Sequence, residues 1–196
     1  MKKILLIVNL CLIICFKLQA QCIPNNIYAD SSFGIWPTTD VNLPTAVQGV
    51  SYFSIIDIKT PITLIEASGG DSALTSFDTL GQTFYVGDWE VYDFELVYVD
   101  GLPNGISLDC FSTNCIIPGD SLSCAYFSGI TNDPVGTYPL NIAVNVNTGG
   151  NINIGGFLTI PITTDLYTAT GSYQYITGYE IEVSNTTNNN NINNTL

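Results

Sequence analysis

Three cysteines crowded between two strand-like runs constrain this chain more than any other feature. From Gly101 to Val146 it reads GLPNGISLDC, then Cys115 and Cys124, a glycine turn and GTYPLNIAVNV. In GLPNG, Pro103 fixes φ while the glycines or Asn104 take positive φ, which makes a sharp turn. Beyond it Tyr138, Leu140, Ile142, Val144 and Val146 alternate with smaller or polar residues, the period of a half-buried strand. Pro139, early in that run, points to an edge or to the first residues of a strand. Cysteines among short strands and glycine turns predict an all-β sandwich from an oxidising compartment.

The N-terminus supports export. Lys2 and Lys3 precede the apolar run ILLIVNLCLIICF and a polar KLQAQ, which fits a secretory signal over residues 1–20, cut after Ala20. The run is short for a membrane span of roughly 20 residues. A cut before Cys22, giving a lipid-anchored cysteine, is the alternative, but Gln21 is a poor residue for that processing. Removing the signal takes Lys2, Lys3 and Lys17 and leaves Lys59 against 17 acidic residues, a formal charge of about −16. Nucleic acid is excluded as a partner, because its affinity depends on Lys and Arg displacing condensed counterions. Insertion into a membrane after signal cleavage is not expected.

The signal also removes Cys11 and Cys15, leaving Cys22, Cys110, Cys115 and Cys124. Four cysteines allow three pairings, which sequence does not decide. The favoured one joins Cys110 to Cys115 as a local clip and Cys22 to Cys124 as a tether for an N-terminal arm. Zinc does not fit: the chain has no histidine and no paired C-x-x-C.

The domain is expected over residues 21–184. Cys22 to Pro44, rich in Pro, Asn, Asp and Ser, reads as an extended arm with Phe33, Ile35 and Trp36 as anchors. Trp36 is read as packing or, alternatively, as an exposed stacking residue for sugar. Val50 to Lys59 is a strand, Ile62 to Ile65 a short continuation, and Ala67 to Gly81 a long polar connection. Thr83 to Val99 is the longest strand-like region, with Tyr92, Phe94, Leu96 and Tyr98 on one face. Ile106 to Asp109, Leu122 to Ile130 and Tyr179 to Val183 are further strands, and Asn147 to Gly156 is turn-like. The Asn-rich residues 185–196 lack the apolar mass to fold. The sum is seven or eight short strands.

Chemistry is sparse. No histidine offers a general base near neutral pH, and no G-x-S-x-G elbow occurs. Asp93 and Glu95 share a strand face at a separation of about 6 to 7 Å, a spacing glycoside hydrolysis uses, but any acidic solvent face gives it. Asp88, Glu90, Asp93, Glu95 and Asp100 are dense enough to raise a weak calcium site at one end of the sheet, without a ligand loop to support it. No catalytic residue, metal ligand or cofactor is assigned. Eleven tyrosines and two tryptophans supply stacking surfaces, and Tyr167, Tyr173, Tyr175 and Tyr179 fall outside strong core periodicity.

The central motifs resemble a known family. GLPNGISLDC, the spacing of Cys115 and Cys124, SGI at Ser128 to Ile130 and GTYPLNIAV at Gly136 to Val144 resemble the immunoglobulin-like domains of exported Bacteroidetes proteins. Cys22-Ile-Pro, IWPTT at Ile35 to Thr39, VQGVSY at Val47 to Tyr52 and GYEIEV at Gly178 to Val183 are similar to the flanks of those domains. Two departures stand out: SGIT replaces the usual SGTP turn, and the Asn-rich residues stand where relatives often continue into a type IX sorting domain. The resemblance implies an immunoglobulin-like sandwich with no known catalytic residues. The expected function is noncatalytic adhesion, spacing or interaction in a secreted, cell-surface or periplasmic setting, with an extracellular protein or polysaccharide as partner. Carbohydrate binding through Tyr and Trp is the alternative, and a glycosidase-like carboxylate pair a remoter one.

Overall fold

The alternating runs become strands of two facing antiparallel sheets. A computed structural model describes residues 22–79 and 81–185; the signal assigned to 1–20 and the tail from 186 onward lie outside the described residues. In chain order the strands are β1 (Gly34–Trp36), β2 (Ala46–Val47), β3 (Ser51–Lys59), β4 (Ser76–Thr79), β5 (Gln82–Tyr85) and β6 (Glu90–Asp100). They continue with β7 (Ile106–Cys110), β8 (Ile116–Pro118), β9 (Leu122–Ile130), β10 (Gly136–Ile154), β11 (Leu158–Asp165) and β12 (Gln174–Ser184). Two short helices, α1 (Leu64–Ala67) and α2 (Leu166–Thr170), interrupt them.

The smaller sheet has the order β1-β3-β9-β7 and the larger β2-β12-β10-β6-β8, with β11 added to β10. Taking β1, β3, β6, β7, β9, β10 and β12 as strands A to G gives ABED facing GFC, the immunoglobulin connectivity. The arm changes sheets as it goes, pairing antiparallel with β3 through β1 and parallel with β12 through β2. Tyr138, near the start of β10, donates its hydroxyl to the carbonyl of Pro134 at 2.9 Å. That is the tyrosine corner of this architecture. Between the sheets lie Ile56, Ile58, Phe127, Leu140, Ile142 and Ile181, all essentially inaccessible. Burying such side chains contributes about 1.5–3 kcal/mol each.

Cys22 is bonded to Cys124 and Cys110 to Cys115. Neither bridges the two sheets. The first packs with Tyr126 and Ile55 as a separate cluster on the outside of the smaller sheet, and the second clips the connection after β7. The arm is further held by Tyr28, which stacks on Trp36 at 4.2 Å. Trp36 is therefore half-buried packing rather than a free sugar platform.

Four expectations are corrected. Along β6 the buried residues are Val91, Phe94 and Leu96, while Tyr92 and Tyr98 face out. Two register shifts opposite β10 explain it: Asn147 pairs with Asp93 but Thr148 with Val91, and Ala143 pairs with Tyr98 but Val144 with Leu96. Each extra residue is a bulge that turns the following side chains to the other face. Second, residues 83–99 are not one strand; a turn with Trp89 N–H donating to Val86 O separates β5 from β6.

Third, the short continuation over Ile62 to Ile65 stops at Thr63, which bridges Glu90, and Leu64 and Ile65 are helical. Glu66 accepts from the N–H of Ile62 at 2.7 Å and of Phe33 at 2.9 Å, drawing the chain into α1, and the polar connection beyond it contains the β4–β5 hairpin. Fourth, Asn147 to Ile154 is strand, flanked by β11 and, as far as Gly149, by β6. Its glycines serve packing. A Cβ at Gly149 would lie 2.6 Å from Tyr92 Oη, and one at Gly150 2.2 Å from Trp89 Cδ1. Pro139 lies before Asn141, where pairing of β10 with β6 begins, so its missing N–H falls where β10 has one neighbour.

Candidate functional site

The immunoglobulin connectivity divides the loops between two ends, and here the division is extreme. At one end the connections are short: 48–50 joins β2 to β3, 101–105 joins β6 to β7, and 131–135 joins β9 to β10. At the other end run residues 60–89, which carry α1 and the β4–β5 hairpin, and residues 111–121, which carry β8. The same end holds the outer part of the β10–β11 ribbon, beyond Gly149, where pairing with β6 stops. Loops on a rigid sandwich are where recognition residues concentrate.

These long connections are fastened to one another. Lys59 donates to the Asp120 carboxylate at 2.5 Å and to the Asp120 carbonyl at 2.7 Å. Thr60 Oγ1 donates within the same corner, to Pro118 O at 2.7 Å. The ribbon joins them where Thr148 Oγ1 donates to Glu90 O at 2.8 Å. Residues 147–164 of the ribbon are uncharged in a chain of formal net charge −13. Register pairs Ile152 with Ile160 and Ile154 with Leu158 on one face, and Asn153 with Thr159 on the other. The tip turns at Gly155 and Gly156 and leaves Phe157 87% and Leu158 47% exposed.

A second cluster lies on the outer face of the larger sheet. Tyr98 of β6 and Tyr175 of β12 are both register partners of Ala143 on β10. Ala143 has no accessible surface, and the two phenols meet with their oxygens 2.7 Å apart. Tyr173 stands edge-on to Tyr98 at 5.9 Å and stacks on Tyr167 at 4.5 Å. The hydrogen bond with Tyr175 is the main reason the Tyr98 pKa is pushed up to about 12, loss of water and the Tyr175 charge adding to it. Tyr167 is carried by α2, whose N-cap Asp165 accepts from Thr168 N at 2.9 Å, Thr168 Oγ1 at 2.6 Å and Asn145 Nδ2 at 3.1 Å. The Thr168 hydroxyl, followed by its N–H, lowers the Asp165 pKa below the usual carboxylate value.

The residues singled out from sequence separate accordingly. Tyr167, Tyr173 and Tyr175 come together, joined by Tyr98, which the simple alternation had placed on one face with Phe94 and Leu96. Tyr179 does not join them. It is buried and donates its hydroxyl to Pro37 O at 2.8 Å, and burial pushes its pKa up to about 12. Asp93 accepts from Asn147 Nδ2 at 2.6 Å, and Glu95 stands opposite Asn145 on the same ladder. These carboxylates lie on an open sheet face instead of converging across a cleft. The calcium expectation is not met: among the described residues no three His, Cys, Asp or Glu side chains group in a way that could hold a metal. No helix among the described residues is long and apolar enough to cross a membrane.

Two cavities lie elsewhere. One of 380 Å³ is lined by Ser32, Phe33, Ile65, Glu66, Gly69 and Gly70, where both Glu66 oxygens already serve backbone N–H groups. The other, of 190 Å³, lies between β6 and the Pro118–Asp120 turn. No protein-family model, curated protein or solved structure matches this chain.

Proposed function

We propose that this protein is a noncatalytic adhesion or interaction module that works outside the cytoplasm and meets its partner with the long-loop end of the sandwich. The observation that carries the reading is the β10–β11 ribbon: an uncharged projection with Phe157 and Leu158 exposed at its tip, on a strongly acidic molecule. Acidity elsewhere keeps copies apart and soluble, and the neutral tip is where an apolar contact forms without desolvating charge. The contact is made by side chains. Pro161 lies in β11, which among the described residues pairs only with β10, and a proline on an edge strand blunts strand addition. Two disulfides and the signal-like N-terminus support a secreted, cell-surface or periplasmic setting, and the likeness to exported immunoglobulin-like domains points the same way.

The test is adhesion of beads coated with the oxidised protein to envelope fragments of the producing cells. Replacing Phe157 and Leu158 with Ser is expected to abolish adhesion while the thermal midpoint stays unchanged, since both are exposed. Adhesion that survives the double substitution, or beads that never adhere, would overturn the reading.

A further inference from the structure

The tyrosine cluster on the outer face of the larger sheet has no part in the core and none in the ribbon contact. From its geometry we infer that Tyr98, Tyr167, Tyr173 and Tyr175 form a binding platform for a neutral oligosaccharide. Three features argue for it.

Ring surface is offered to solvent on purpose-built supports. Tyr98, Tyr167 and Tyr175 are 39%, 46% and 48% exposed, yet none is loose. Tyr98 and Tyr175 are tied by their hydroxyls across Ala143, and Tyr167 is braced by Tyr173 and by its own N–H, which donates to Asn145 Oδ1 at 3.1 Å. Rigid rings lose little entropy on binding, and an exposed phenol face packs against the C–H face of a pyranose while phenol oxygens exchange hydrogen bonds with its hydroxyls.

The polar surroundings suit hydroxyls. Asn145 and Asp165 border the rings through the same hydrogen-bond network, supplying the few polar groups that orient a sugar.

The charge of the face selects the ligand. Asp93, Glu95 and Asp100 occupy the same ladder as Tyr98, and Lys59, the lone lysine beyond residue 20, is engaged with Asp120. Uronic acids, sulfated glycans and phosphates are repelled by such a face. A quaternary ammonium is the competing occupant, since cations also favour aromatic faces. The oligosaccharide is favoured because the phenol oxygens beside the exposed rings suit hydroxyls, and a quaternary ammonium, which has no hydrogen-bond donor or acceptor, does not use them.

The experiment is calorimetry of the oxidised protein with hexasaccharides of β-glucan, α-glucan, xylan and mannan, alongside hexagalacturonate and choline. One neutral hexasaccharide is expected to bind with a dissociation constant of about 1 mM or tighter. Tyr98→Ala and Tyr175→Ala should each weaken it about tenfold. Phe53→Ala, on the outside of the smaller sheet, should leave it unchanged. Tyr167→Ala, at an exposed helix position, gives a readout even if Tyr98→Ala fails to fold. Silence toward all four neutral sugars, binding that survives both Tyr175→Ala and Tyr167→Ala, or tighter binding of galacturonate or choline would each overturn the inference. The ribbon substitutions should not affect sugar binding, so this test and that of the adhesion reading fail separately.

Discussion

The two ends of the sandwich are held together by different physics. At the short-loop end the work is done by backbone shape and hydrogen bonds. Asp133 accepts from Asn104 N at 2.7 Å and Asn104 Nδ2 at 3.0 Å, while its carbonyl accepts from Gln48 Nε2 at 2.7 Å. One residue thus ties all three turns. Glycines let the chains approach: a Cβ on Gly105, where φ is +86°, would lie 2.2 Å from Ile130 O. The Tyr138 phenol beside them is pushed up in pKa by loss of water and then by the Asp133 charge.

At the long-loop end hydrogen bonds recur, from Thr60 Oγ1 to Pro118 O and from Thr148 Oγ1 to Glu90 O, but long connections lose more entropy on ordering. Covalent bonds and one lysine are added to them. The Cys22–Cys124 bond, the Cys110–Cys115 clip and the Lys59–Asp120 pair all fasten segments there. Both ends expose apolar side chains, Val50, Ile130 and Val135 at the short-loop end and Phe157 and Leu158 at the ribbon tip, and Phe157 is the most exposed of them.

The largest expected effect tests the covalent side. Removing the Cys22–Cys124 bond, which closes a separation of 102 residues, should cost about 4.7 kcal/mol in the chain-entropy account. Removing the Cys110–Cys115 clip, with a separation of 5, should cost about 2 kcal/mol. Urea unfolding of the two Ser pairs measures both, and equal losses would contradict the account. Next, one substitution can be made at both ends. Gly105→Ala should destabilise by about 3 kcal/mol or more through strain and collision. Gly156→Ala at the ribbon tip, φ +76° with no atom within 4 Å of its Cβ, should cost only about 1 kcal/mol.

Asp133→Ala should cost about 2 kcal/mol by removing the carboxylate that accepts from Asn104 N and Nδ2, the Gln48 bond to the backbone carbonyl remaining, while Asp120→Ala, whose carboxylate is largely exposed, should cost less. A reversal of that order would show that the lysine corner is the stronger lock. The smallest effect is spectroscopic. Phenolate absorbance should show Tyr98 and Tyr179 ionising near pH 12 instead of 10, and Tyr175→Phe should return Tyr98 toward 10 while leaving Tyr179 in place. Because the folded pKa of Tyr179 is raised, its contribution to stability is complete below pH 10 and is lost as pH rises to about 12.

Much of the framework was legible because β-branched and aromatic alternation is a local signal. Ser51 to Lys59, Leu122 to Ile130 and the first half of β10 are read directly from it. The site was less legible for a physical reason. Tyr98 joins Tyr175 only because a bulge at residue 97 turns it outward, and nothing in VYDFELVYVD marks where the extra residue goes. Tyr179, of the same type and four residues beyond Tyr175, is buried because the arm covers it. The ribbon was hidden by Gly149 and Gly150, which look like turn residues but make room for Tyr92 and Trp89.

By itself the sequence determined the class, the acidity and the presence of four cysteines beyond residue 20, since these follow from composition and local period. The choice among three disulfide pairings, the face each tyrosine presents and the gathering of residues 60–89, 111–121 and the outer ribbon at one end were decided by the tertiary structure alone. Each depends on which strands lie side by side, and that is a property of contacts between residues far apart in the chain.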